Sequence, residues 1–94
     1  MASNFRIFHH RNSDHLHISL VGDFDGSSAH ELVNALNQLR RKAKKIVIHT
    51  SRLTSLHPFG VSVFQKKCGL LSLVHMLTFT GTYSRQMSTE ADLD

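Results

Sequence analysis

The stretch "KIVIHTSRLTSLHPFGVSVFQKKCGLL", residues 45–71, decides the fold of this chain. It begins with "KIVIHTS", a short and nearly all-apolar run ending in polar residues, which predicts a central strand covered on both faces. Beyond the turn, apolar residues recur at helical spacing, at Val61, Phe64, Cys68 and Leu71. Pro58 suits the first position of that helix, where its missing N–H costs nothing. A strand that leads into a helix start is typical of α/β proteins.

The segments before this stretch predict a β-hairpin. "HLHISLVGDF", residues 15–24, alternates along its length, with Leu16, Ile18 and Leu20 on one face. "FRIFHH", residues 5–10, is a short candidate edge strand, and the intervening "RNSD" has the composition of a turn. Two strands joined by a short polar turn indicate a hairpin.

A helix is predicted after the hairpin. Ser28 and Glu31 form a capping-box pattern, which predicts that the helix starts at Ser28. Apolar residues then recur at helical spacing and form one face: Ala29, Leu32, Val33, Leu36 and Leu39. The basic cluster "RRKAKK", residues 40–45, closes this helix, because cations complement the negative end of the helix dipole.

The C-terminal part completes the predicted topology. "VHMLTFTG", residues 74–81, predicts a strand that ends at Gly81. Residues 82–94 predict a short helix or a flexible tail, with Tyr83, Met87 and Leu93 as candidate anchors. The order β-β-α-β-α-β predicts a largely parallel arrangement of the later strands. We therefore expect one α/β domain over residues 1–94, with its core in residues 5–81.

The length and composition of the chain indicate a small globular protein. Ninety-four residues suffice for one domain, and 40% hydrophobic with 19% charged residues is typical of a globular chain. No apolar run approaches the roughly 18 residues of a membrane helix, and the N-terminal residues lack the apolar core of a signal peptide. A single cysteine, Cys68, fits a reducing compartment. We expect a cytoplasmic protein without a membrane partner, whose net charge of +4 permits an acidic partner.

With these elements in this order, the chain resembles the STAS family, named for sulphate transporters and anti-sigma factor antagonists. "LHISLVGDFDGSSAHELVNAL" looks like the family's strand, its Gly-x-(Leu or Phe)-Asp turn and its first helix. "KIVIHTSRLTSLHPFGVSVF" is similar to the following strand, loop and helix start, and "LTFTG" to the next strand. The resemblance implies a STAS-like (SpoIIAA-like) mixed sheet of four to five strands with helices packed mainly on one face. It also implies a non-enzymatic protein-binding module in signal transduction and transcription regulation.

One turn departs from the family pattern, which reads Asp-Ser-Ser-Gly. Matched by position, His57 stands for the Asp, Pro58 for the phosphoacceptor serine and Phe59 for the second serine, while Gly60 is retained. The acidic residue of the preceding strand is replaced by His49. Because proline has no hydroxyl group, the resemblance implies a module without the usual phosphorylation switch at this position.

The resemblance also implies the partner and the contact residues. The partner is an anti-sigma factor of the serine-kinase type or another switch protein. The contact residues expected are Asp23, Asp25, Ser55, His57, Pro58, Phe59, Gly60, Ser62 and Phe64. Phe64 also belongs to the predicted core stripe, and an exposed Phe59 would be an aromatic anchor of the kind that interfaces favour. Ser55 is the favoured alternative phosphorylation site, ahead of Thr54 and Ser62.

Other functions stay open at this point. The fold also suits a structural STAS subunit of a transport or signalling assembly. A small nucleic-acid-binding protein would use the basic cluster at residues 40–45, but no aromatic residues interleave that cluster, which argues against nucleic acid as the partner. A weak homodimer, paired through the edge strand, is a further alternative.

The sequence contains no clear motif for catalysis, for a cofactor or for a metal site. No Gly-x-Ser-x-Gly elbow, P-loop or Gly-x-Gly-x-x-Gly motif occurs in the chain. His15 and His17 share one face of a strand, and His9 and His10 lie on the neighbouring segment, yet no cysteine pair or zincin motif accompanies them. Cys68 lies on the apolar helix face, as a small buried hydrophobic residue would. We expect no enzyme activity, no cofactor and no metal site.

Overall fold

The computed structural model describes residues 4–88. The strands are β1 Arg6–Asn12, β2 His15–Phe24, β3 Lys45–Leu56 and β4 Leu77–Thr80. The helices are α1 Gly26–Leu39, α2 Pro58–Leu70 and the short α3 Ser84–Met87, and 3₁₀ turns span Arg40–Lys42 and Val74–Met76. The predicted order β-β-α-β-α-β is confirmed, and so is the start of α2 at Pro58.

The four strands form one mixed sheet in the order β1-β2-β3-β4. β1 pairs antiparallel with β2, as the predicted hairpin requires, and His10 lies opposite His17. β3 runs parallel to both β2 and β4. The carboxyl ends of β2 and β3 therefore meet at one edge of the sheet, where both strands lead into helices.

The core lies between one face of the sheet and the pair α1 and α2, which also pack on each other. Alternate residues of β2 point into this core, because side chains of a strand alternate between its faces. Fully buried residues include Ile18, Leu20, Phe24, Leu32, Leu36, Ile46, Ile48 and Phe64. The predicted helix faces supply this core, and the helices cover one side of the sheet as the resemblance implied.

The prediction that β3 is covered on both faces is wrong. Ile46 and Ile48 are fully buried under the helices, but Val47 and His49 on the opposite face are only half-buried. None of the described helices packs across that opposite face. β3 is also longer than the apolar run, since it continues to Leu56. Pairing with β2 along its length supports the polar part of the strand.

The predicted capping box at Ser28 is also wrong. The N-cap of α1 is Asp25, whose extended backbone precedes the helix and whose carboxylate accepts a hydrogen bond from the Ser28 N–H. Ser28 thus lies within the first turn, buried, and Glu31 is exposed. An aspartate that precedes the helix competes with serine for the cap, and here the strand β2 delivers Asp25 directly to that position.

The basic cluster lies beyond α1 rather than at its last turn. α1 ends at Leu39, and Arg40 begins a separate 3₁₀ turn. The Arg40 guanidinium donates a hydrogen bond to the Leu71 carbonyl, with 2.9 Å between Nη1 and the oxygen. Leu71 is the C-cap of α2, so this cation complements the dipole of the second helix instead of the first.

The C-terminal strand is shorter than predicted. Only Leu77–Thr80 pair with β3, because the preceding Val74–Met76 form a 3₁₀ turn. After β4, the short helix α3 carries Met87, which is fully buried, while Tyr83 is half-buried. Leu93, the third predicted anchor, lies outside the described residues. No helix within residues 4–88 combines the length and apolar character needed to cross a membrane.

Candidate functional site

The predicted contact residues of β2 and β3 come together where these parallel strands end. In register, Asp23 lies opposite Ser55, and Phe24 lies opposite Leu56. The His57 N–H then donates to the Phe24 carbonyl oxygen over 2.9 Å, which continues the pairing past the end of β3. The start of α2 is thereby held beside the loop that leads into α1.

Asp23 is fixed by two hydroxyl groups of β3. Its Oδ1 accepts hydrogen bonds from Ser55 Oγ at 2.6 Å and from Thr54 Oγ1 at 2.7 Å. These bonds, Ser55 first and Thr54 second, lower the pKa of Asp23 because they favour the charged carboxylate. The half-buried Ser55 hydroxyl, the candidate phosphorylation site, is therefore already engaged by a carboxylate.

Asp25 has a structural role at the start of α1. Its Oδ1 accepts hydrogen bonds from the Ser28 N–H at 3.0 Å and from the Ser27 hydroxyl at 2.8 Å. The Ser28 N–H and then the Ser27 hydroxyl are the main causes that lower its pKa to about 2. The Ser28 hydroxyl lies 2.8 Å from the Asp23 carbonyl oxygen and joins the two aspartates into one network. Because the Asp25 carboxylate is engaged as the N-cap of α1, it is not free to bind a partner directly. It contributes only its negative charge to this surface.

Gly60 brings α2 into backbone contact with the loop before α1. A Cβ atom at this position would lie 2.6 Å from the carbonyl carbon of Asp25 and 2.7 Å from its oxygen. No real Cβ approaches another atom so closely, so only glycine permits this packing. Gly60 is buried, and its role is to set the distance between the starts of the two helices.

Phe59 is the largest apolar side chain exposed at this end of the sheet. It is 73% exposed, and His57 and Pro58 before it are exposed as well. One edge of its ring lies against Gly26, where a Cβ would be 3.0 Å from Phe59 Cε2. Because Gly26 has no side chain, the ring rests on the start of α1 and presents the rest of its surface to solvent.

A shallow hollow lies beside the first turns of α2. It is lined by Leu56, Pro58, Val61, Ser62 and Gln86. Ser62 is exposed at its rim. Gln86 comes from α3, and sequence reasoning did not associate it with this surface because nothing in the tail indicates where it packs. The contact between Gly26 and Phe59 was not predicted from the sequence either. The available signal was a glycine directly after Asp25, which leaves room for a neighbouring side chain.

Phe64 does not belong to this surface, which corrects the expectation that it contacts a partner. Its side chain is fully buried. Its ring makes edge-to-face contacts with Phe24, at a centroid distance of 6.0 Å, and with Phe79, at 5.9 Å. The helical spacing placed Phe64 in the core stripe, whereas the family resemblance placed it among the contact residues, and its burial agrees with the core stripe.

The histidines form a second polar cluster, on the sheet face that the helices leave uncovered. His17 Nδ1 and His49 Nε2 are 3.0 Å apart, and the ring centroids are 5.2 Å apart. The facing nitrogens therefore lie close to the line between the ring centres, so the rings meet edge to edge through a hydrogen bond rather than face to face. His49 Nδ1 is 2.8 Å from Thr80 Oγ1, which continues the chain of hydrogen bonds to β4.

This histidine cluster predicts a pH-dependent stability. Burial, followed by the positive charge of His10, His49 and His15, lowers the pKa of His17 from its ordinary value of 6.5. The unfolded chain therefore takes up the proton first as pH falls, so this stabilising contribution is present above pH 6.5 and is lost as the pH falls through the folded-state pKa. The melting temperature should decline on acidification from about pH 8 to about pH 5, and less so in His17→Gln. His75→Gln, which changes an exposed histidine of a 3₁₀ turn, is the matched control, and an equal decline in both variants would contradict the assignment.

Within residues 4–88, no three side chains of His, Cys, Asp or Glu are arranged to hold a metal ion. Cys68 is fully buried, and its burial raises the pKa of the thiol to about 12. A thiol with such a pKa stays protonated at neutral pH and is a poor nucleophile. Cys68 thus acts as the small core residue that its position on the helix face predicted.

Neither a protein-family model nor a curated protein matches this sequence. Solved structures do match. The anti-sigma factor antagonist SpoIIAA in its unphosphorylated form is 14% identical, with a TM-score of 0.60 over 95% of this chain and 93% of that chain. The antisigma-factor antagonist STAS domain from Rhodobacter sphaeroides is 15% identical, with a TM-score of 0.64 over 94% of this chain and 95% of that chain.

A third solved structure, of Mglu, is 18% identical with a TM-score of 0.67 over 80% of this chain. The match covers 19% of the Mglu chain, so the fold occurs there as a small part of a larger protein. At these identities the likeness establishes the fold, which is the SpoIIAA-like α/β fold that the sequence resemblance implied.

Proposed function

We propose that this chain is a non-enzymatic, cytoplasmic docking module that binds a protein partner at the carboxyl ends of β2 and β3. The docking surface consists of Asp23, Ser55, His57, Pro58, Phe59 and Ser62, and Asp25 and Gly60 hold it in place from below. The observation that supports it most is the 73% exposure of Phe59. An exposed aromatic side chain on a rigid support is the kind of residue that supplies most of the energy of a protein interface.

The surroundings of Phe59 favour binding without a large rearrangement. Pro58 restricts the backbone before it, and Gly60 packs against the Asp25 backbone directly after it. The ring rests on Gly26. A side chain held in this way loses little conformational entropy when a partner covers it. Asp23, opposite Ser55 near the end of β3, adds a fixed negative charge to the docking surface.

The partner class rests on the fold likeness. Two of the similar structures are anti-sigma factor antagonists, so we propose an anti-sigma factor of the serine-kinase type, or another switch protein, as the partner. Pro58 offers no hydroxyl group at the start of α2, so the interaction operates without a serine switch there. Ser55 is the alternative site, because a phosphate on it would break its hydrogen bond to Asp23 and add negative charge beside that carboxylate.

The test is the affinity of a partner captured from the native host and identified by mass spectrometry. Phe59→Ala should weaken binding of the purified partner about 30-fold or more, which corresponds to about 2 kcal/mol for an anchor residue. Phe8→Ala is the matched control, since Phe8 is 54% exposed and lies on β1, away from the docking surface. Equal affinity of Phe59→Ala and wild type would overturn the proposal.

A further inference from the structure

The sheet face opposite the helices is a contiguous surface built from all four strands. The register gives it two neighbouring rows of side chains. One row runs through Phe8, Ser19, His49 and Thr80, and the other through His10, His17, Val47 and Thr78. We call this surface the open face. Phe8 is 54% exposed there, and His10 and Thr78 are exposed as well.

Ring side chains dominate the centre of the open face. The His10 and His17 rings are nearly parallel, at 9° between their planes and 5.1 Å between their centroids. His17 is joined edge to edge to His49 by the 3.0 Å hydrogen bond between their ring nitrogens. Phe8 lies two residues before His10 on β1 and points to the same face. Phe8, His10, His17 and His49 thus place four ring side chains on the open face.

The charges around these rings are positive. Arg6, two register pairs from Phe8, lies opposite Val21, and Lys45 lies opposite His15 at the other end of the sheet. Both cations are exposed on the open face. Across the four strands the sole carboxylate is Asp23, which is held at the carboxyl end of β2 by Ser55 and Thr54. The open face therefore combines flat rings with exposed cations.

A basic groove beside β1 and the end of α1 shares His10 with the open face. It is lined by His9, His10, Arg11 and Lys42, with Leu16 and Leu39 as its apolar part. Arg11 donates a hydrogen bond to the Lys42 carbonyl over 3.1 Å, which joins β1 to the basic cluster. Among residues 4–88, the one ion pair in this region is Lys44 with Asp14, at 4.0 Å between exposed groups. Arg41, Lys42 and Lys45 are exposed in this region.

We propose that the open face binds single-stranded nucleic acid. Bases stack on Phe8 and His10, because every base has a flat π-face and such stacking on aromatic side chains and histidine tolerates any sequence. Arg6 and Lys45 on the open face, with Lys42 in the adjoining groove, neutralise the phosphates. The rings favour a nucleic acid over an acidic protein, because the charges alone would serve either. This function is separate from the docking surface and does not depend on it.

The structure brings aromatic rings near the basic cluster, which has none within its own sequence. No aromatic residue interleaves residues 40–45, but β-sheet pairing brings Lys45 beside His15 on β2, and through β2 to the rings of β1. Rings and cations that are 30 or more residues apart along the chain share one surface as a result. A duplex fits this surface poorly, because its bases are already stacked on one another and cannot reach the rings.

The test is fluorescence anisotropy of the full chain with a labelled oligouridylate of about 12 nucleotides at low salt. The same measurement is made with a duplex of equal length and with polyglutamate. Single strands should bind more tightly than both. Phe8→Ala should weaken binding about 5- to 150-fold, which corresponds to one lost stacking contact. Lys45→Gln should reduce the slope of log affinity against log salt by about one.

Phe59→Ala is the control, because it lies on the docking surface and should bind the oligonucleotide as wild type does. Circular dichroism of each variant verifies the fold. Unchanged affinity of Phe8→Ala, or duplex binding as tight as single-strand binding, would overturn the proposal. Binding of polyglutamate alone would also overturn it, in favour of an acidic protein partner. Since capture of the protein partner depends on Phe59 and oligonucleotide binding depends on Phe8, failure of one proposal leaves the other testable.

Discussion

Phe64→Ala is expected to lower the free energy of unfolding by about 3–5 kcal/mol, the largest effect of any single change considered for this chain. Phe64 is fully buried between α2 and the sheet. The substitution removes its edge-to-face contacts with Phe24 and Phe79 and leaves a cavity that the neighbouring strands cannot close. Urea denaturation followed by circular dichroism measures the difference.

Phe59→Ala is the matched control for this experiment. It makes the same change five residues earlier on the same helix, but at a side chain that is 73% exposed. Its effect on unfolding should stay within about 0.5 kcal/mol, as is usual at surface positions. A cost below about 1 kcal/mol for Phe64→Ala, or similar costs for both variants, would contradict the assignment of Phe64 to the core.

Gly60→Ala has the second largest expected effect, a loss of about 1–3 kcal/mol or more. The new methyl group would lie 2.6 Å from the Asp25 carbonyl carbon and 2.9 Å from its Cα. These are backbone atoms, which cannot rotate away, so α2 must move away from the start of α1. The same movement displaces Phe59 relative to Gly26, so affinity for the protein partner should fall together with stability.

Gly69→Ala is the matched control on the same helix. A Cβ at Gly69 meets no atom within 4 Å, so the substitution brings only the higher helix propensity of alanine. It should therefore stabilise the chain by up to about 1 kcal/mol. Thermal and urea denaturation of both variants measure the two changes in stability. Equal effects of the two substitutions would show that the contact between α2 and the Asp25 backbone does not constrain the fold.

The elements that were predicted correctly are those with a strong local period. The alternation in β2 and the helical spacing in α1 and α2 arise from residues that are close in sequence, and burial against any apolar surface is enough to produce them. Pro58 indicated the helix start for an equally local reason, since its ring restricts its own backbone. The predicted N-cap at Ser28 was wrong because Asp25, three residues earlier, is an equally suitable N-cap residue. The end of β2 places Asp25 at the start of the helix.

The exposure of Phe59 could not be predicted from the sequence. Helical spacing placed Phe64 in the core stripe, but it left open whether Phe59, on the same helix, faces the core or the solvent. Phe64 is buried because the sheet presents Phe24 and Phe79 to it. Phe59 is exposed because it lies in the first turn, above Gly26, beyond the edge of the sheet. The position of the helix relative to the strands decided the matter.

By itself, the sequence determined the order of the elements, the apolar faces of β2, α1 and α2, and the lack of a hydroxyl at Pro58. These features depend on local geometry and on residue chemistry. Only the tertiary structure decided which polar groups meet. The hydrogen bonds from Thr54 and Ser55 to Asp23, and the contact between His17 and His49, join residues more than 30 positions apart. These contacts depend on the register between β2 and β3. That register is set when the whole sheet packs against the two helices, and no local sequence pattern encodes it.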